Sequence, residues 1–153
     1  MDDRFSPATK ALLDSAALRC AKRGAKLTEL RRHVLGLVLE SPSPAGAYDL
    51  LDRLRDDRGP SAPPTVYRAL EFLVEHGFIH RVERLAAFVG CIDEEPHDHG
   101  HAAQFLICRN CKKVAEIDDY EIAHALESAA DRMGFKLSRS TIEAEGLCAI
   151  CAA

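Results

Sequence analysis

The segment Phe105-Leu-Ile-Cys-Arg-Asn-Cys111 places Cys108 and Cys111 with two residues between them. The same spacing recurs after Leu147, in Cys148 and Cys151. Two thiolates at this spacing can turn inward on one tight loop, and two such loops complete a tetrahedral shell around Zn²⁺, with Zn–S bonds of about 2.3 Å. Sulfur ligands favour zinc over magnesium, calcium or manganese. The repeated spacing therefore predicts a structural zinc site, with secondary structure between the two pairs bringing them together.

The alternative for these four cysteines is two unrelated pairs of free or redox-active thiols. A chance repeat of one spacing explains the pattern poorly. Neither pair follows a strand that leads into a helix, as a thioredoxin-type motif requires. The remaining thiol in the first helical segment, Cys20, has no partner at metal spacing and is expected to be a small buried apolar residue.

Composition limits the cellular setting. No apolar run approaches the ~20 residues that span a bilayer, and the charged start Met1-Asp2-Asp3-Arg4 does not resemble a signal peptide. Six cysteines without an export signal indicate metal ligands rather than disulfides. We therefore expect a cytoplasmic protein with no membrane partner.

The net charge of −4 is unevenly distributed. Fourteen Lys and Arg stand against twelve Asp and Glu up to Arg84, and six stand against twelve after it. Only the N-terminal half is suited to a polyanion, and only through the local placement of its arginines. Charge alone does not predict nucleic-acid binding.

The N-terminal half has helical periodicity in four segments, followed by two short strand-like segments. The helices are expected at residues 8–23, 28–40, 47–55 and 63–77, and the strands at residues 78–83 and 86–91. Thr28 can cap the second helix, and the prolines at the start of the fourth fit only in its first turn. Helices followed by a hairpin in this order predict a winged helix-turn-helix domain.

In such a domain the last helix enters the major groove of DNA by its N-terminal end. Arg68 is placed to contact a guanine edge or a phosphate. Tyr67 can stack on a sugar or touch a thymine methyl group, and Thr65 can bond a phosphate. The alternative is a helical bundle with a solvated arginine face, and the pattern alone does not decide between the two.

The C-terminal half predicts a small mixed layer of strands and one helix. Strands are expected at residues 104–107, 113–117, 135–137 and 141–144, and a helix at residues 118–133 with Ile122, Leu126 and Ala129 or Ala130 facing inward. This layer is too thin to bury both faces, and two-fold dimers are the commonest assembly. The fold class is therefore α+β. A winged-helix domain at 1–84, a hinge and loop at 85–103 and a dimerisation domain at 104–153 are expected.

Several motifs together resemble the ferric-uptake-regulator family of bacterial metal-responsive repressors. They are Leu27-Thr28, Ala47-Tyr-Asp-Leu50, Pro64-Thr-Val-Tyr-Arg-Ala-Leu70, Gly77-Phe78, Phe105-Leu-Ile-Cys-x-x-Cys111 and Gly146-Leu-Cys-x-x-Cys151. The resemblance covers nearly the whole chain and implies a homodimer that binds double-stranded operator DNA, without a small-molecule substrate.

Within the family the chain is most similar to the zinc uptake regulators, because that subgroup has Cys in the second wing strand, at the position of Cys91. That similarity implies a sensing zinc bound by His80, Cys91, His101 and Glu116, which makes two zinc ions per chain. Two imidazoles, a thiolate and a carboxylate also suit Zn²⁺ chemically. His97 and His99 are alternatives to His101 or ligands of a weak additional site.

The chain departs from the iron and peroxide sensors of the family at two positions. Those sensors usually have His where this chain has Phe105, and many have a His ligand before the third helix, where Ser43-Pro-Ala-Gly46 has none. Both departures argue against iron or peroxide sensing. His33, His76 and His124 are expected in helices without matched metal ligands, in solvated or structural roles.

Other functional classes have less support. A zinc deaminase needs His-x-Glu and a proline directly before the cysteine pair, and this chain has neither. A zinc-ribbon adaptor that binds only protein does not explain the helix that contains Thr65, Tyr67 and Arg68. The sequence therefore predicts a zinc-dependent repressor that controls zinc uptake genes. An iron, manganese or peroxide sensor of the same family, or the adaptor, is the alternative.

Overall fold

The computed structural model describes residues 2–91 and 103–153. It divides into two compact units, Met1–Cys91 and Ile92–Ala153. The predicted α+β fold is confirmed, with a winged helix-turn-helix unit followed by a small α/β unit that contains the four paired cysteines. No helix in the described part of the chain is long and apolar enough to cross a membrane.

Four α-helices build the first unit. They are α1 (Pro7–Lys22), α2 (Glu29–Glu40), α3 (Ala47–Arg58) and α4 (Pro63–Glu75). The Ser6 and Thr28 side chains accept hydrogen bonds from the first turns of α1 and α2, which satisfies otherwise unpaired N–H groups. Leu13, Val34, Leu50 and Leu73 are among the fully buried side chains of the core. The first unit therefore closes an apolar core of its own.

A three-stranded sheet completes the first unit. Its strands are β1 (Ala45–Gly46), β2 (Ile79–Val82) and β3 (Ala87–Gly90), in the order β1-β3-β2 and all antiparallel. The wing hairpin of β2 and β3 lies where the sequence predicts it. Because β3 pairs with β2, the first unit runs to Cys91, and a division at residue 84 would separate the two wing strands.

The second unit is a three-stranded sheet with two helices. Its elements are β4 (Ala103–Cys108), β5 (Val114–Ile117), α5 (Tyr120–Arg132), β6 (Thr141–Gly146) and α6 (Ala149–Ala152). The central strand β4 pairs with β5 antiparallel and with β6 parallel. Asp119 caps α5 through its side chain.

Two expectations for the second unit were wrong. Residues 135–137 do not form a strand, because Gly134, with φ +78°, turns the chain out of α5 and no strand pairs with this segment among the described residues. The α5 residues expected to face inward are not buried, and Ile122 is 38% exposed. An apolar stripe on a helix shows that a face needs cover, but not that its own chain supplies it.

Candidate functional site

The first candidate site is the group of four cysteines in the second unit. The parallel register of β4 and β6 places Cys108 beside Gly146, so both strands end at the same edge of the sheet. The Arg109 N–H donates to the Gly146 carbonyl oxygen at 2.9 Å and ties the first loop to the end of β6. Cys148 follows two residues later and begins α6. Strand pairing thus brings two cysteine pairs together that are distant in sequence.

The four Sγ atoms all lie within 4.8 Å of one another, and Cys111 Sγ is 3.9 Å from Cys148 Sγ. Tetrahedral zinc with four thiolates requires S···S separations of roughly 3.8 Å. None of the six cysteines, all in described residues, forms a disulfide. The group therefore has the ligand type, number and spacing of a structural zinc site.

Backbone N–H groups favour the thiolate at two of these cysteines, Cys108 and Cys148. N–H groups of the loops, first that of Cys111 and then that of Cys148, lower the pKa of the Cys108 thiol to about 6. The Cys151 N–H likewise lowers the pKa of Cys148. The thiolate is the form that binds metal. The Asn110 amide donates to Cys151 Sγ at 3.3 Å, a contact that the sequence analysis missed although the polar residue inside the loop was its signal. At this fourth cysteine the Asn110 amide lowers the pKa, but the neighbouring thiols, first that of Cys148, outweigh it and raise the pKa of Cys151 to about 11.

The second candidate site is a pair of ligands on the wing. His80 lies in β2, and Cys91 directly follows β3. His80 lies opposite Val89, and Cys91 is two residues beyond Val89. His80 and Cys91 are therefore diagonal neighbours on one face of the hairpin, close enough for their side chains to meet. His80 Nε2 lies 3.1 Å from Cys91 Sγ, and both residues are half-buried. The hairpin register alone is enough to bring an imidazole and a thiol together.

The other expected ligands of the sensing ion lie elsewhere in the chain. Glu116 is in β5 of the second unit, and both of its carboxylate oxygens are buried. His101, together with its alternatives His97 and His99, lies outside the described residues. The four-residue set therefore stays a prediction, of which the first unit contributes two ligands.

The candidate nucleic-acid interface is the N-terminal half of α4. Pro63 and Pro64 occupy its first turn, as predicted, and no acidic side chain lies there. Tyr67 and Arg68 are exposed, Thr65 is half-buried, and Val66 is buried in the core of the first unit. The helix therefore presents a positively charged, anion-compatible end to solvent.

In the described part of the chain, the helical histidines outside these sites contact neighbouring side chains. His33 is buried, and its Nε2 lies 2.8 Å from Asp57 Oδ2. Arg4 also contacts the Asp57 carboxylate. His76 stacks on Phe72, and His124 stacks on Tyr120. Cys20 is 1% exposed, and burial raises its pKa despite nearby arginines, as expected of a structural thiol.

Comparison with known proteins agrees with this arrangement. The model of the Ferric uptake regulator family matches residues 22–145. This chain belongs to the ferric uptake regulator family. Two relatives show where it lies within the family. The Zinc uptake regulation protein of Escherichia coli K12 is 41% identical over 144 residues, covering 94% of this chain and 82% of the relative. The Ferric uptake regulation protein of Klebsiella pneumoniae is 30% identical over 131 residues, covering 84% of this chain and 81% of the relative.

A solved structure of this family extends the likeness to the fold. The structure of a zinc uptake regulator complexed with zinc and DNA has a TM-score of 0.89 and 39% identity, covering 96% of this chain and 97% of the other. Identity is thus higher to the two zinc uptake regulators than to the ferric uptake regulator of Klebsiella pneumoniae.

Proposed function

We propose that this chain is a zinc-dependent transcriptional repressor that binds operator DNA as a homodimer and controls zinc uptake genes. The observation that carries the proposal is a ligand pair, His80 and Cys91, on the wing of a unit whose last helix presents Arg68 to solvent. A wing that binds metal can connect metal concentration to the helix that meets DNA. The similarity to zinc uptake regulation proteins supports the choice of zinc.

The sensing ion in this proposal is bound by His80, Cys91, Glu116 and His101. Nitrogen, sulfur and oxygen ligands in this combination suit tetrahedral Zn²⁺. The thiolate disfavours manganese, which prefers oxygen ligands. His80 and Cys91 come from the first unit, and Glu116 comes from the second.

The four cysteines of the second unit bind the other ion, which makes two zinc ions per chain. That ion has a structural role in the proposal, because its ligands all come from one small sheet and its loops. Removing it would leave the four thiols without their common ligand, and the loops would be held only by hydrogen bonds such as that from the Arg109 N–H to the Gly146 carbonyl oxygen.

In the proposed mechanism, zinc increases the fraction of molecules whose winged units are oriented to bind DNA. Without the sensing ion the winged units sample many orientations, and the ion favours the one in which two recognition helices meet successive major grooves. Arg68 then contacts a base edge, and Tyr67 and Thr65 contact the sugar-phosphate backbone. Linkage requires that operator DNA tighten zinc binding by the same factor.

The homodimer is supported by apolar surface on the second unit. In the described part of this unit, the large apolar side chains that are exposed in the single chain are Leu106, Tyr120, Ile122, Met133, Phe135, Leu137, Leu147 and Ile150. Many exposed apolar side chains on one small unit are typical of an interface, and a second copy supplies the cover that α5 lacks. The cell compartment is the cytoplasm, where operator DNA is accessible.

Fluorescence anisotropy with a labelled operator duplex tests the proposal. We expect tight binding with zinc, and binding that falls to the level of random DNA after the exchangeable zinc is chelated. Binding that is identical with and without zinc contradicts a zinc-dependent repressor. Zinc-independent capture of protein alone would instead support an adaptor.

A further inference from the structure

Phe78 connects the recognition helix to the wing through its own backbone. Its N–H donates to the Leu73 carbonyl oxygen at 2.9 Å, and the Gly77 N–H donates to Val74 at 3.0 Å. Gly77 has φ +74°, the left-handed conformation that glycine adopts most readily. These two bonds form a Schellman motif, which caps the C-terminal turn of α4. The carbonyl oxygen of Phe78 accepts a hydrogen bond from the Cys91 N–H at 3.0 Å.

The Phe78 ring is held in a stack of aromatic and cationic groups. It is 6% exposed and lies parallel to the His76 ring, with 6.4 Å between centroids. The guanidinium of Arg19, from α1, covers it at 4.8 Å from the ring centroid. A cation over an aromatic face is attracted by the ring quadrupole.

The position of Arg19 is explained by this ring rather than by a hydrogen bond at Nε. That nitrogen is buried and has no hydrogen-bond partner within residues 2–91 and 103–153. Burying a polar atom unpaired costs free energy, so the contact with Phe78 must offset the cost. Arg23, the C-cap residue that directly follows α1, donates to the His76 carbonyl oxygen at 3.2 Å. Helix α1 thus fixes the end of α4 at two points.

At the other end of the stack, Phe72 also contacts the His76 ring and an arginine, but it has no hydrogen bond to the wing hairpin among the described residues. Phe72 stacks on His76 at 4.0 Å between centroids, and the Arg31 guanidinium covers Phe72 at 3.7 Å. Phe72 is interior to α4, and its carbonyl oxygen accepts from His76 within the same turn. The two rings therefore share a stack and an arginine cover, but only Phe78 is bonded to Cys91.

From this geometry we infer that Phe78, whose ring is covered by Arg19, is a positioning residue for Cys91, a ligand of the proposed sensing ion. Phe78 also links Cys91 to α4, the helix proposed to contact DNA. The inference rests on the proposed function, in which Cys91 binds the sensing zinc. A zinc ion that fixes Cys91 also restrains the Phe78 peptide, and through the Phe78 N–H it restrains the last turn of α4. The first unit thus contains a direct backbone path from the ligand to the helix that contacts DNA.

The test compares Phe78→Leu with its matched control Phe72→Leu in the whole 153-residue chain. Each change removes one ring of the stack and keeps an apolar side chain. Chelator-competition titration with Zn²⁺ measures the affinity of the exchangeable ion, and thermal unfolding measures stability. We expect Phe78→Leu to lower the affinity for that ion about tenfold, as loss of a ligand-orienting contact does. Phe72→Leu should keep the affinity within about twofold of the wild-type value. A purely structural role of the ring instead predicts equal zinc affinities in two variants that lose stability alike, and that result overturns the inference.

Arg19 supplies a second pair of variants that does not depend on changing the ring. Arg19→Met keeps the length of the side chain and removes the cation, whereas Arg19→Lys keeps a cation over Phe78. We expect Arg19→Met to weaken the exchangeable zinc by about two- to fivefold and Arg19→Lys to restore most of the affinity. Equal affinities in Arg19→Met and the wild type would also overturn the inference.

Wild-type operator binding, measured beside the variants, separates this inference from the proposed function. If the wild type binds operator equally with and without zinc, the proposed function fails. If the wild type responds to zinc and the two phenylalanine variants bind zinc equally well, only the role of Phe78 fails.

Discussion

The two candidate metal sites differ in how complete they are within one unit. The second unit contains all four thiols of its site, on two loops that the pairing of β4 with β6 holds side by side. The first unit contains only two ligands of its site, His80 and Cys91, on one hairpin. Structural zinc sites close with four protein ligands. In the proposed function this difference separates a permanent ion from a responsive one, because an incomplete pair must recruit its remaining ligands from elsewhere.

The strongest way to break this comparison is to remove a thiol from the complete site. Cys148→Ser replaces a thiolate by a hydroxyl, which stays protonated at neutral pH and binds zinc poorly. Binding of a structural zinc contributes about 10–16 kcal/mol that is also folding free energy, so we expect loss of the fold of the second unit and of the dimer. Circular dichroism and analytical ultracentrifugation measure the two losses.

Cys20→Ala is the matched control for that variant, because it removes a thiol that lies in neither site. It should keep both zinc ions and the dimer, at a modest cost in stability from the cavity it leaves. A folded, dimeric Cys148→Ser protein with unchanged zinc content would contradict a structural role for the four cysteines.

A smaller effect is expected from the incomplete site. Cys91→Ser should weaken the exchangeable zinc by at least about a hundredfold, since even loss of a ligand-orienting contact costs 10–100-fold. The fold, the dimer and the zinc of the four cysteines should remain, because Cys91 belongs to the other unit. Zinc-dependent operator binding should disappear, and His80→Ala should behave alike.

Zinc stoichiometry and operator anisotropy across a free-zinc titration check this expectation. If Cys91→Ala and Cys91→Ser both respond to zinc as the wild type does, Cys91 is a buried apolar residue and the proposed sensing site is wrong. His97, His99 or His101 with other partners would then be the ligands to test.

Arg68→Ala sharpens the comparison because it should change DNA binding and leave both metal sites intact. Loss of a bidentate contact to a guanine edge should weaken operator binding by about 1–3 kcal/mol and relax the base preference at one position. Zinc content and dimerisation should be those of the wild type. Equal losses on operator and random DNA would show that Arg68 contacts a phosphate instead.

The smallest expected effect concerns a polar contact that includes none of the proposed metal ligands. Burial raises the pKa of the Asp57 carboxyl, but the hydrogen bond from His33 and the charge of Arg4 outweigh it and hold that pKa below its ordinary value. A lowered folded-state pKa contributes stability above the unfolded-state pKa, and this stability is lost as the pH falls through the folded-state value.

Asp57→Asn should therefore cost about 1 kcal/mol of unfolding free energy at neutral pH, with a smaller difference from the wild type in acid. Urea unfolding at neutral and acidic pH measures both values. A cost that is unchanged across this range would show that ionisation of Asp57 does not contribute.

Much of the fold could be predicted because local signals agree with it. The capping residue Thr28 marks the start of α2, the prolines mark the start of α4, and the repeated cysteine spacing indicates one cluster. The hairpin register that brings His80 to Cys91 is set by the short connection between the two strands. These features depend on neighbours in sequence or on chemistry that has few alternatives.

The features that could not be predicted depend on distant partners. Strand β1 has two residues and exists because Ala45 and Gly46 pair with Phe88 and Ala87, and two residues after a proline have no strand pattern of their own. The apolar stripe of α5 has the sequence pattern of a stripe that faces its own core. A helix face buried by a second copy and one buried by the same chain require the same apolar side chains. The Arg19 contact with Phe78 joins α1 to the end of α4, and no local pattern indicates it.

Operator affinity measured on one preparation, before and after mild chelation and again after zinc is restored, tests zinc-dependent repression most directly. Mass spectrometry on the same samples counts the zinc ions. We expect two ions per chain to fall to one, with operator binding lost while the protein stays folded and dimeric, and both to return with added zinc. Operator binding that persists at one ion per chain would contradict the proposed function.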